Sequence, residues 1–498
     1  MGMRITNGML INNSLSNINN NKSTMDRLNI QLASEKKIQR ASDDPITAIR
    51  ALRFRSTLAE IDQYIDKNIR DATSWLETTD EAMDQIVGLI GDITTYCNQA
   101  VNGYYDTTDK NAIVETLLAF RDQIYNNANT DCAGRTIFTG YKTDGTLTYK
   151  TDNEKVYEIT EKFAPKDLDI LYKVSNGVDI SDINDATIGS LNTDTIPLSQ
   201  QAKCYRLRLA YDKLSKADGV TLKLADGTEI ATVNKTSKDG DAYSPADDEA
   251  YFIEDTGELI FGKNVNGRLS SAPENADGVA FTVTYTRRGF EKGELDPIQY
   301  FDCVDKTDAD SSKWITYTNR DQDINYEVNF NQTLTINIQG KNVYTQDMTR
   351  DMDDIIRAVN YAINAENKKD KIQDLYDKSV EGSAEQKKYK AILDMCVREY
   401  DFARENMKEA FTTGLAKYTE HGDIVSLSRA EVGARLKRLE LNRNRLEAQK
   451  NTIDNLKSEN EDANLVEVGV ELTEAESIYD ASLAAAAKVV QKKLLDFL

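Results

Sequence analysis

At 498 residues the chain is long enough for about three domains with buried cores. Its 61 Lys+Arg against 83 Asp+Glu leave a net charge of −22, which repels phosphate backbones and anionic headgroups, so neither nucleic acid nor a membrane surface is an expected partner. A single histidine, His421, and five dispersed cysteines without a C-x-x-C pair weigh against histidine catalysis, a zinc or redox site and a disulfide framework.

The N-terminus has no basic segment followed by an apolar core, so no cleavable signal is expected, and no stretch approaches a membrane span. Ile11, Leu15, Ile18, Met25 and Leu32 fall on a 4-3 helical spacing, with Lys22 and Asn29 as polar residues in that seam. Ser42-Asp43-Asp44-Pro45 then reads as a helix boundary, Asp44 capping a helix whose first residue is Pro45. Beyond it Ile65, Ala72, Thr79, Ile86, Ile93 and Ala100 repeat every seven residues. Ile69, Leu76, Met83, Ile90 and Cys97 form a second row beside them. Two rows make a stripe wider than a two-stranded seam, so this helix should touch more than one neighbour. Ile113, Leu117, Phe120 and Ile124 predict one helix more.

The six prolines leave 46–164 and 298–498 uninterrupted, as long helices require. Between about 139 and 349 the chain instead carries turn pairs, among them Asp226-Gly227, Asn266-Gly267 and Asp277-Gly278. They are flanked by alternating runs such as Val220–Leu224, 279–285 and 334–338. This is the pattern of hairpins, and predicts a β-rich insertion. Asp308 to Ser312 lacks the glycine and final glutamate of a calcium loop. No phosphate loop, nucleophile elbow or metalloprotease motif occurs, so no catalytic residue, cofactor or metal is expected.

The last arm returns to helical spacing. Val432, Leu436, Leu439, Leu446 and Ile453 keep the 4-3 pattern, with Arg443 and Lys450 at intervening seam positions. Leu465, Val468, Leu472, Ala475, Tyr479, Ser482, Ala486 and Val489 resume it. The chain ends on Leu494, Leu495, Phe497 and Leu498, which with Leu483 and Val489 must be buried in its own fold or against a partner. The expected fold is therefore α+β: an elongated rod with a long antiparallel helical bundle or coiled coil from both termini and an inserted β-rich outer domain. Its expected parts are 1–41 with 460–498, 42–138 with 350–459, and 139–349.

Met3-Arg4-Ile5-Thr6, Ser42-Asp43-Asp44-Pro45, the Gly134-Arg135-Thr136-Ile137-Phe138-Thr139-Gly140-Tyr141 run and the Leu-Leu-Asp-Phe-Leu ending together resemble the bacterial flagellin superfamily, and most of all its hook-associated protein type 3 branch. Val432-Gly433-Ala434-Arg435 is similar to the C-terminal arm of that family. Five cysteines, and Gln491-Lys492-Lys493 before the ending, depart from its usual pattern. The resemblance implies a non-enzymatic subunit at the hook–filament junction, exported by the flagellar type III route without a cleaved signal. Its terminal helices would line the inner tube; their narrow 4-3 stripes, interrupted by Lys22, Asn29, Arg443 and Lys450, separately predict that about 1–40 and 460–498 are mobile in the free chain. Its partners would be hook-associated protein type 1, flagellin, copies of itself in a ring layer, and an export chaperone on the C-terminal arm. Filament flagellin and a helical-stalk adhesin are the alternatives.

Overall fold

The computed structural model describes residues 7–495, apart from 104, 176, 194, 195, 197, 215–218 and 321 and the side chains of 7, 175 and 489–495. Four helices open the chain: α1 (Asn7–Ser34), α2 (Pro45–Gln63), α3 (Arg70–Asn102) and α4 (Thr107–Ala128), with one π-helical turn, Tyr64–Ile69, joining α2 to α3. The middle is built from short strands. β1 (Asp131–Cys132), β2 (Arg135–Thr136), β3 (Asn153–Phe163), β4 (Asp169–Ser175), β5 (Gln200–Arg208), β6 (Val220–Leu224), β7 (Glu229–Ile230), β8 (Val233–Lys235), β9 (Ala250–Ile253) and β10 (Glu258–Phe261) precede a short helix, α5 (Lys263–Ser270). Then come β11 (Phe281–Phe290), α6 (Pro297–Tyr300), β12 (Asp302–Asp305), β13 (Ile315–Tyr317), β14 (Asn325–Asn329) and β15 (Gln332–Thr335). The chain closes with α7 (Gln346–Lys378), α8 (Ala384–Glu461) and α9 (Leu465–Leu495). Two compact units result: Met1–Ala72, Tyr326–Leu334 and Lys437–Leu498 form the first, Thr73–Asn325 and Thr335–Leu436 the second.

In the first unit α1 packs against α9. The inward row of α9 is Val468, Leu472, Ala475, Tyr479, Ser482 and Ala486, as its spacing predicts, except that Leu465 at the helix start is exposed. On α1 the register differs from expectation. The inward row is Ile11, Ser14, Ile18, Asn21, Met25 and Leu28, whereas Leu15, Lys22, Asn29 and Leu32 are exposed. Ile11, Ile18 and Met25 are common to both readings, and the partner row can lie on either side of them. α9 covers the side that holds Leu28, so Lys22 and Asn29 do not stand in this seam, and its polar contact across the helices is Asn21 donating to Ser482 Oγ at 3.3 Å. The C-terminal part of α8 shows a one-residue shift of the same kind. Arg443 is exposed and bonds Glu447 on its own helix at 2.9 Å, while its neighbour Asn442 is buried. Lys450 does cross between helices, meeting Asp62 of α2 at 2.7 Å. The β14–β15 hairpin belongs to this unit through its tip: Phe330 meets Tyr64 edge-on at 5.3 Å, and Asn68 donates to the Glu327 carbonyl at 2.8 Å.

In the second unit α3, α4, α7 and the first half of α8 bundle together. Both predicted rows of α3 are buried from Ala72 to Ala100. Backbones come close where glycine allows it: a Cβ on Gly414 of α8 would meet Ile355 of α7 at 2.5 Å. Polar bonds tie the helices, Tyr418 donating to the Met348 carbonyl at 2.5 Å and the buried Lys110 pairing with Glu366 at 2.7 Å. Two sheets form a sandwich, one in the order β13-β12-β3-β11-β6-β7, the other β4-β5-β10-β9-β8, where β8 and β9 run parallel. Their shared core includes Ile159, Leu207, Leu222, Phe252, Phe261, Phe281 and Val283.

Two expectations for the middle fail locally. Asn266-Gly267 lies inside α5, because Val265 and Leu269, one turn apart, are drawn into the sandwich core and override the turn pair. The strand expected over 334–338 stops at Thr335, where the Asn337 side chain takes over pairing with the facing backbone: it accepts from Ile324 N–H at 2.8 Å and donates to the Gln322 carbonyl at 2.7 Å. Cys97, Cys204, Cys303 and Cys396 are buried and Cys132 half-buried, and burial pushes the Cys97 thiol up to about 12.

Candidate assembly surfaces

The elbow at 35–47 is fixed by its own turn bonds and by bonds to the α8–α9 junction. Glu35 takes φ +60°, turning the chain out of α1, and its carbonyl accepts from Ala463 N–H at 2.9 Å while Lys37 N–H donates to the Glu461 carbonyl at 2.8 Å. Glu461, almost wholly buried, receives Arg55 of α2 through two bonds of 3.0 and 2.6 Å. Lys36 pairs with Asp462 beside it. The boundary motif does what its residues predict. Asp44 caps α2 by accepting from Ile46 and Thr47 N–H at 3.0 and 3.2 Å, with Pro45 as the first helical residue. Asp43 closes the preceding turn, accepting from Arg40 N–H at 2.8 Å. Both carboxyls sit below their ordinary range, Asp44 chiefly through the Thr47 hydroxyl and Asp43 through the Arg40 amide. Ser42 is exposed.

The Gly134–Tyr141 run is a packing knot. Ala133 and Gly134, at φ +53° and +79°, make the two-residue turn between β1 and β2. Ile137 and Phe138 are buried, Phe138 lying edge-on to Tyr344 at 5.0 Å and accepting from Gly340 N–H at 2.8 Å. Gly140 has φ +62°, and a Cβ there would meet Gln322 at 2.6 Å. Arg135 and Tyr141 remain exposed, the Tyr141 hydroxyl donating to the Asp323 carbonyl at 3.0 Å.

Sequence reasoning missed a buried ionic joint between the sandwich and α7. Arg206 and Arg208 alternate onto one face of β5, and Asp347, Asp351 and Asp354 recur on one face of α7. Arg206 reaches Asp354 at 2.9 Å and Glu258 at 2.7 Å; Arg208 reaches Asp354 at 2.8 Å and Asp351 at 2.6 Å. Burial opposes ionisation of Asp354, but Arg206, Arg208 and Arg357 outweigh it and hold that carboxyl well below its usual range. Glu258 falls to about 2 for the same balance, with Lys173 as its largest support. The single histidine, His421, closes the joint, its Nε2 lying 2.9 Å from Asp351. Alternating arginines facing a D-x3-D-x2-D run was the signal available in the sequence.

Among the described residues no group of three His, Cys, Asp or Glu is placed to hold a metal, and no helix is long and apolar enough to cross a membrane. An open groove of about 600 Å³ between α3 and α4 is lined by Gly88, Leu89, Asp92 and amide side chains, with one carboxylate among them. What the first unit does present is apolar surface. Leu15 and Ile30 of α1, Ile46, Ile49 and Leu52 of α2, and Val466, Val470, Ile478 and Leu483 of α9 are all exposed. Phe497 and Leu498, and the side chains of Val489, Leu494 and Leu495, lie outside the described residues.

Residues 5–143 match the family described as the bacterial flagellin N-terminal helical region. Over 143 residues the chain is 32% identical to flagellar hook-associated protein 3 of Salmonella typhimurium and 29% identical to that of Escherichia coli, matches covering 28% of this chain and 45% of each relative. A flagellin of Clostridium tyrobutyricum is 27% identical over 128 residues, 26% of this chain and 34% of that one. The chain thus spans less than half the length of the curated relatives it matches. A crystal structure of Xanthomonas campestris FlgL aligns over 81% of this chain and 99% of its own, at 13% identity and a TM-score of 0.32. The chain therefore has helices from both ends around an inserted β-rich domain, and its N-terminal helical region matches that of bacterial flagellins. Over the matched share it resembles hook-associated protein 3.

Proposed function

We propose that this chain is a structural subunit of the bacterial flagellum that forms the junction layer between hook and filament. It would contact hook-associated protein type 1 on one side and flagellin on the other, with copies of itself around the ring. The observation that carries this reading is the 32% identity to a hook-associated protein 3 over 143 residues, joined to the flagellin N-terminal match over 5–143 and a first unit whose helices expose apolar residues on a second face. Segments 1–41 and 460–498 would form the inner layer of that assembly, 42–138 with 350–459 the surrounding shaft, and 139–349 the outward domain. The C-terminal arm, with Leu483, Val489, Leu494, Leu495, Phe497 and Leu498, would bind an export chaperone before secretion without a cleaved signal, one apolar face serving both contacts in turn. Immunogold labelling of isolated flagella tests the reading: label confined to a narrow zone between hook and filament supports it, and label absent from flagella overturns it. The match to a flagellin favours a second reading, a filament subunit. Label along the whole filament, and long filaments formed by the purified chain alone, would select that one.

A further inference from the structure

The first unit leaves two apolar ridges uncovered on different helices, and their flanking charges are opposite. On α2, Ile46, Ile49 and Leu52 stand at three-residue steps, 65, 54 and 64% exposed, beside the exposed Arg50 and Arg53. The opposite side of that helix, Ala51, Leu58 and Ile61, is already buried. On α9, Val466, Val470 and Ile478 are 79, 58 and 55% exposed, and the exposed Glu467, Glu471 and Glu474 share their side at roughly 100° per residue. The row from Val468 to Ala486 occupies the other side, against α1. None of these five charges has an ion pair among the described residues. Single exposed apolar residues need no explanation, but three on one side of a helix whose other side is packed do.

We infer that the two ridges are halves of one interface between copies of this chain, α2 of one copy lying against α9 of the next. Ile46, Ile49 and Leu52 would pack on Val466, Val470 and Ile478, with the two arginines facing the three glutamates. The occupant is a second copy because both halves of the complementarity, apolar and ionic, are carried by one chain. Like-with-like pairing is opposed: α2 on α2 would bring arginine to arginine, and α9 on α9 glutamate to glutamate. The contact is therefore head-to-tail, and such contacts repeat into rings or helical layers. The inference rests on the junction reading for its setting and names the surfaces that reading leaves open.

The test uses the full chain expressed in its own bacterium. With I49C and V470C in one chain, mild oxidation of isolated flagella should give a ladder of cross-linked copies on a non-reducing gel, while either cysteine alone gives none. R50E/R53E and E467K/E471K/E474K should each cut the ladder at least fivefold, and combining all five reversals should restore it. Thermal melts and circular dichroism of the purified variants confirm folding. A ladder from one cysteine alone, unaffected cross-linking in both reversals, or no recovery when folded variants combine them overturns the inference. Junction-zone labelling without a ladder defeats the inference and spares the junction reading; a ladder with label along the whole filament does the reverse.

Discussion

Replacing Asp354 with alanine would leave Arg206 and Arg208 buried beside a missing charge, the costly way to break such a joint. The expected loss is about 3–5 kcal/mol in the denaturant unfolding of the second unit. The same residues set an acid limit. Asp354, Asp351 and Glu258 all have folded-state pKa values below their unfolded ones, so the native state releases those protons more readily and gains stability above the unfolded values. That stability is lost as pH falls from about 4.5, the ordinary glutamate value, toward about 2. The neighbouring Glu161, Glu294 and Asp353 are shifted upward by burial, and work the other way, favouring the folded state at lower pH. An acid titration should therefore show D354A already weak at neutral pH and losing less stability than the parent between about pH 4.5 and 2; an equal loss would place the acid sensitivity elsewhere. The alternating Arg206 and Arg208 and the spaced Asp347, Asp351 and Asp354 are written in the sequence, but in a chain with 83 acids their pairing does not stand out until a strand and a helix are brought face to face. The Asp44 cap was legible because its partners are its own next neighbours.

At the scale of single helices, period was readable and phase was not. α3 could be placed residue by residue because both of its apolar rows are full. α1 has one full row and two half-filled candidates beside it, so the choice between Leu15 with Lys22 and Asn29, or Ser14 with Asn21 and Leu28, was made by packing against α9. The structure makes the difference measurable. Leu28→Ala should destabilise the α1–α9 pair by about 2–3 kcal/mol, read as faster amide exchange along α1 in the free chain. Leu15→Ala, at a residue 53% exposed, should leave that exchange unchanged and lower incorporation into flagella. The reverse outcome would restore Lys22 and Asn29 to the seam. The inserted segment shows the same division. Hairpin chemistry marked β6 and the turn after it, yet Val265 and Leu269 turned an equally good turn pair into part of α5. A second element waits on one buried carboxylate. Glu399 of α8 accepts from Val178 N–H at 2.8 Å, the Tyr361 hydroxyl at 3.0 Å and Lys368 at 2.9 Å, fastening the strap after β4 to the α7–α8 hairpin. Glu399→Ala should free Val178 to exchange by at least tenfold, with the sandwich core unaffected; unchanged exchange would assign the strap to Ile180, Ile183 and Ile188 packing alone.

Taken over the whole chain, burial is distributed unequally among helices of similar length. α3, with 33 residues, buries nearly every member of two apolar rows, whereas the described side chains of α1 and α9 include only Leu28 and Val468 among the fully buried. Helices of 28 and 31 residues joined by so narrow a seam have little to set against the entropy of ordering them. Their opening free energy should therefore fall well short of that of the second unit's bundle. In the free chain, amides of 8–34 and 465–488 should exchange at least a hundredfold faster than those of 73–100. Inside isolated flagella the same amides should become protected, since the exposed Leu15, Val466, Val470 and Ile478 would then be covered and the elbow at Glu461 held from both sides. Equal protection of α1, α9 and α3 in the free chain would mean that the narrow seam suffices by itself. The uncovered apolar residues would then have to be read as a docking face on a finished fold, not as the unfilled half of one completed by assembly.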